Sequence, residues 1–128
     1  MRRRSFDIEG FAHGGNPIPA ASRIGNFIMT GGIHGLDRQT GKIPDGLEAQ
    51  VANMFANLEA ALAAAGGSLA DVLKMTFWTK VPEARDLINQ YWIERFPDSH
   101  SRPSRHTMQG ANLAGAMLVQ CDAFAVVL

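Results

Sequence analysis

Two periodicities run along the chain. Leu47, Val51, Met54, Phe55, Leu58 and Leu62 recur at i, i+4, i+7, i+8, i+11 and i+15, the single apolar stripe of an amphipathic α-helix. Ala84, Leu87, Ile88, Tyr91, Trp92 and Phe96 repeat that stripe; Pro82 and Glu83 suit the first turn of the second helix, and Pro97 stops it. Elsewhere the period is two. Residues 6–9 alternate as a short half-buried strand would, and residues 22–29 read as two strands around the Gly25-Asn26 turn, closed by Thr30-Gly31-Gly32. Over residues 72–81, Met75, Phe77 and Thr79 alternate with Thr76, Trp78 and Lys80, which predicts a strand packed on one face and at least partly covered on the other. Residues 104–112 and 116–128 give two last extended runs, joined near Ala114-Gly115. Breakers fill residues 13–19, Thr40-Gly41 marks a second hairpin with a polar tip at 37–39, and Gly66-Gly67 supplies a left-handed helix stop, with Ser68 free to cap a short turn before Asp71.

The order strands, helix, strand, helix, strands predicts an α/β (α+β) domain over residues 1–128, a mixed sheet with both helices on one face, since each helix has one apolar stripe. The opposite sheet face then needs a cover. So short a chain can take it only from another copy, so the geometry predicts an oligomer. Composition narrows the partners. Twelve Lys and Arg balance twelve Asp and Glu, so no net field draws the chain to nucleic acid or to an acidic membrane. One cysteine, Cys121, excludes an internal disulfide framework and suits a reducing cytoplasm. The basic start Arg2-Arg3-Arg4 meets Asp7 and Glu9 where a signal peptide would be apolar, and no stretch has the length of a membrane span, so a cytoplasmic protein is expected.

His13, His34, His100 and His106 have no metal-ligand spacing, no glycine motif follows a strand into a helix, and no nucleophile stands in an elbow. Neither a metal nor a nucleotide cofactor is expected. Residues 102–107 carry more information, because a proline-fixed loop feeds a strand that presents Arg105. If Arg105, Thr107 and Gln109 share a face, Arg105 can grip a carboxylate with paired donors while Thr107 adds a hydroxyl; an ordinary surface or interface ion pair is the plainer reading. On the last strand Leu118, Gln120, Asp122 and Phe124 face one way. Gln120 can hold a water or a structural partner. Cys121 reads as a small buried hydrophobe, and Asn89 as a residue that caps or bridges.

Several blocks together resemble the RidA/YjgF family from about Pro17 onward. These are residues 24–32, Thr40-Gly41 with a following proline, residues 50–66, Asp71-Val72-Leu73-Lys74 followed by Thr76, Asn89 with Tyr91 and Phe96-Pro97, and Pro103-Ser104-Arg105 as a Pro-x-Arg signature. The resemblance implies a chorismate-mutase-like fold, a homotrimer with a sheet barrel inside and helices outside, and pockets at the subunit clefts. It implies hydrolysis of 2-imino or enamino acids to 2-oxo acids and ammonia without metal or organic cofactor. Arg105 would hold the substrate carboxylate, with Thr107, Asn89, Gly31, Gly32 and Ile18 lining the pocket. The chain departs from the family at four of these places. Gln120 replaces a water-placing glutamate and cannot take a proton at neutral pH; Thr107 stands for a cysteine, Gly31 for a serine and Ile18 for an aromatic residue. His34 and His106 are further candidates for proton transfer, although strand alternation should turn His106 away from Arg105.

Three functions follow for testing: an imine or enamine deaminase, a non-catalytic trimer that binds small carboxylates, and a ribonuclease or translation inhibitor of the kind named among relatives of this family. The loss of the glutamate favours the second, and neutral charge argues against the third.

Overall fold

The computed structural model describes residues 2–128. Its elements are β1 (Arg4–Phe6), β2 (Ala21–Ile24), β3 (Phe27–Thr30), β4 (Ile33–His34), α1 (Leu47–Ala64), β5 (Val72–Thr79), α2 (Ala84–Arg95), β6 (Ser104–Met108) and β7 (Val119–Val126). The described residues form one seven-stranded sheet in the order β1-β2-β3-β7-β5-β6, with β4 also pairing β7. Only β5 and β6 run parallel among the paired strands, and α2 is the crossover between them.

Both helices cover the same face. Phe55 of α1 and Trp92 of α2 meet Phe77 of β5, with ring centroids 5.7 and 6.0 Å apart. Ile28, Ile33, Met75, Val119 and Cys121 point into that layer and are fully buried. The expected α1 stripe is the observed one, and its C-terminus closes as the glycines require. Gly66 takes φ +90°, Gly66 N–H donates to Ala63 O at 3.0 Å, and Gly67 N–H donates to Leu62 O at 2.8 Å. Buried Gln50 locks the start of α1 to the last strand: its Nε2 donates to Pro44 O (2.7 Å) and Ala116 O (3.0 Å), and its Oε1 accepts from Leu118 N–H (2.8 Å).

Among the described residues no helix covers the other face; the loop at Phe11 covers only its β4 end, over buried His34. Phe27 and Met29 keep 56% and 59% of their surface exposed there, beside Ile24 and Phe124. That is the bare face the layer argument requires. Trp78 is half-buried, with its indole N–H 3.4 Å from Asp122 Oδ2.

Three expectations about strands need correction. β1 ends at Phe6 rather than running over residues 6–9, because the chain turns at once: Phe11 N–H reaches back to Ile8 O at 3.2 Å, and Gly10 has φ +79° against the Arg38 backbone. The two last extended runs are shorter than expected, since Gly110 and Gly115 take positive φ and residues 109–118 form a loop. Gln109 therefore falls beyond β6 and does not share a strand face with Arg105 and Thr107. β4 is a two-residue strand that the pattern does not announce.

Candidate functional site

Arg105 sits on β6 opposite Met75 of β5, and Thr107 sits opposite Phe77. Register therefore sends both side chains to the helix-covered face, at the open edge of the sheet. The guanidinium carbon lies 5.2 Å from the centroid of Phe77 and 5.1 Å from that of Trp92. Its Nε donates to Thr107 Oγ1 at 2.9 Å. Among the described residues it makes no ion pair, so the surface-pair reading does not hold within the chain. Burial, and secondarily the charge of Arg85, lower its affinity for its proton, but a guanidinium stays charged at neutral pH. A cleft of about 570 Å³ opens in front of it, lined by Arg85, Asn89, Trp92, Arg102, Pro103, Arg105, His106 and Thr107. Arg102 is anchored, its Nε donating to Phe96 O at 2.8 Å and so closing the end of α2.

The remaining candidates gather elsewhere. Gln120 on β7 lies opposite His34 of β4 and Trp78 of β5, with its amide against Gly32 so closely that a β-carbon there would collide with it. A β-carbon on Gly31 would stand 3.4 Å from Ile18 Cγ2 and 3.0 Å from Pro19 O. His13 fastens this loop, with Nε2 2.6 Å from Gly32 O and Nδ1 3.2 Å from Ile18 O. Arg105 aligns with Met75, whereas Gln120 aligns with Trp78, so the two point to opposite faces of the sheet. One chain thus holds the expected site residues in two separate groups, Arg105 with Thr107 and Asn89, and Gln120 with Gly31, Gly32 and Ile18. It does not bring them together.

The histidines divide as strand alternation implies. His106 turns away from Arg105, and its Nδ1 lies 2.9 Å from Lys74 Nζ. His34 is buried and stacked on Phe11 at 4.7 Å; its Nε2 faces Ala12 O (3.2 Å) and its Nδ1 accepts from Leu36 N–H (3.3 Å). Burial first, then the nearby His13, hold His34 below its ordinary pKa, against a raising effect of the Ala12 bond. Cys121 is fully buried, and that burial, with Asp122 next to it, pushes its thiol up, away from nucleophilic use. Among the described residues no group of three His, Cys, Asp or Glu side chains is placed to hold a metal ion, and no helix is long and apolar enough to cross a membrane.

Sequence reasoning missed Arg85 and His13. The spacing of Arg85, four residues before Asn89 on α2, was the available signal for the first; nothing local marks the second. A larger hollow of about 770 Å³ lies between the 37–41 tip and α1, but Glu9 and Asp37 line it together with Arg38, so it offers no unopposed charge.

Comparison with known proteins adds a separate line. The family model described as Endoribonuclease L-PSP matches residues 16–127. A RutC family protein of Pyrococcus abyssi is 32% identical over 110 residues, 85% of each chain. The 2-iminobutanoate/2-iminopropanoate deaminase of Escherichia coli is 27% identical over 104 residues, 80% of this chain and 81% of that protein. Among solved structures, one from Thermotoga maritima matches with a TM-score of 0.89 at 28% identity, over 100% of this chain and 99% of the other. The structure of E. coli TdcF with bound serine matches with a TM-score of 0.86 at 25% identity, over 98% and 99%. The helices on one sheet face, the arginine after its proline and these matches agree: the chain belongs to the endoribonuclease L-PSP family, the RidA/YjgF family, whose named members include imine deaminases.

Proposed function

We propose that this chain assembles with copies of itself into a trimer and hydrolyses small 2-imino or enamino carboxylates to 2-oxo acids and ammonia in clefts shared between subunits. The observation that carries the reading is Arg105: a half-buried guanidinium, oriented by two aromatic rings and Thr107, that faces a cavity without an ion-pair partner among the described residues. The uncovered apolar face supports assembly, and the serine in E. coli TdcF supports an amino-acid-like ligand in a related protein.

The chemistry is modest. The terminal nitrogens of Arg105 hold the carboxylate, which fixes the imine carbon next to it. A water oriented by Gln120 of a neighbouring subunit attacks that carbon; its oxygen forms the new C–O bond while the imine nitrogen takes up protons and leaves as ammonia, giving the 2-oxo acid. Gln120 positions the water without receiving its proton, so the substrate nitrogen and solvent must carry proton traffic. That same amide favours one alternative, a trimer that binds small carboxylates without turnover.

The test measures ammonia release from 2-iminopropanoate, generated from alanine by an amino acid oxidase, above the spontaneous rate. Acceleration that vanishes in Arg105→Ala and rises in Gln120→Glu supports the enzyme. Tight carboxylate binding with no acceleration by the native chain supports the binding module instead.

A further inference from the structure

We infer that the cleft selects imino or enamino acids that carry a second carboxylate, which Arg85 binds while Arg105 holds the first. The inference rests on the reading of Arg105 above and extends it to substrate class.

Arg85 stands in the first turn of α2, one helical turn before Asn89, and both line the cleft in front of Arg105. A cation in that turn opposes the helix dipole, which favours acidic residues there. Arg85 also makes no ion pair among the described residues, although Glu83 and Asp86 are close in sequence. Neither helix stability nor a local ion pair accounts for it. Its charge is nevertheless felt across the cleft, since Arg85 is the group that, after burial, disfavours the charged form of Arg105.

Two like charges around one cavity repel, and a ligand with two negative groups relieves both. Among the described residues no acidic side chain lines the cleft. The concentration of charge is local, for the whole chain balances twelve basic against twelve acidic residues. Arg102, the third guanidinium, is already engaged by the backbone. It donates to Phe96 O and faces Pro97 O at 3.4 Å, which leaves Arg85 as the open second cation. A volume of about 570 Å³ leaves space beyond the reacting carbon for a carboxylate-bearing side chain.

The experiment compares two imines made in place, iminosuccinate from aspartate by aspartate oxidase and 2-iminopropanoate from alanine, with the native chain, Arg85→Ala, Arg85→Lys and Arg105→Ala. The expected native kcat/KM ratio favours the dicarboxylate. In Arg85→Ala that ratio falls about tenfold, as loss of one partly exposed charge-assisted bond predicts, and Arg85→Lys restores part of it. Added salt erodes the native preference. In parallel, calorimetry compares succinate with propanoate, and the same preference and the same Arg85 dependence are expected. A native ratio at or below one, or a ratio that Arg85→Ala leaves in place, overturns the inference; an acid from a neighbouring copy lying against Arg85 would give that result. Failure of the underlying reading looks different: Arg105→Ala then turns over and binds both ligands as the native chain does. If neither imine is turned over, equal binding of succinate and propanoate overturns the inference.

Discussion

In one part of the helix layer Arg95 lies over Phe55 and Tyr91, 4.8 and 5.3 Å from their centroids, and in another Arg105 lies over Phe77 and Trp92, at 5.2 and 5.1 Å. The seats are nearly the same. Arg95, however, has Glu59 3.7 Å from Nε and Glu94 3.8 Å from Nη1, and it donates to Tyr91 O at 3.3 Å. Arg105 has one side-chain bond, to Thr107, and a cavity where Arg95 has carboxylates. An aromatic cradle orients a guanidinium in both cases; the acids around it decide whether its remaining donors hold the fold or stay open to a cavity.

That contrast breaks most visibly at Arg105 itself. Arg105→Ala should lower kcat/KM for a 2-imino carboxylate at least about 100-fold, while costing less stability than Arg95→Ala because no ion pair is lost with it. Next in size, Gln50→Ala should cost about 2–3 kcal/mol in denaturant unfolding, because it strands Leu118 N–H and two carbonyls in the interior. Arg95→Ala should reverse the Arg105 result, losing about 1–2 kcal/mol of stability while turnover persists below its midpoint. The smallest effect belongs to His34. Its folded pKa is held below the ordinary 6.5, so between those two values the unfolded chain binds more protons there. Stability at this site falls as pH drops through that window and is unaffected above it; His34→Gln should flatten the acid-side decline in thermal midpoint.

Much of the fold was legible because its strongest determinants are local. The α1 stripe, the Gly25-Asn26 turn, the Gly66-Gly67 stop and the Pro82 and Pro97 brackets of α2 each act over a few residues. The end of β1 and the loop at 109–118 were not legible, since alternation in a short run does not say whether a pairing partner exists. Arg105 stood out through its proline-fixed loop. Its sidedness relative to Gln120 depends on the β5–β6 and β5–β7 registers, which no single segment encodes. Arg85 escaped notice because a lone arginine on a helix reads as solvent surface until the opposite wall of the cleft is in place.

The claim that a site draws Arg105 from one subunit and Gln120 from another can be tested by complementation. Arg105→Ala and Gln120→Ala chains, each bearing a different tag, are co-expressed and the doubly tagged assemblies are purified and assayed for ammonia release. Each doubly tagged trimer holds two chains of one kind and one of the other, which leaves one of its three sites with both native side chains, so activity should recover to about a third of the native level, well above either variant. Activity no greater than the mean of the two separate variants, or a fully active monomer, would contradict the account.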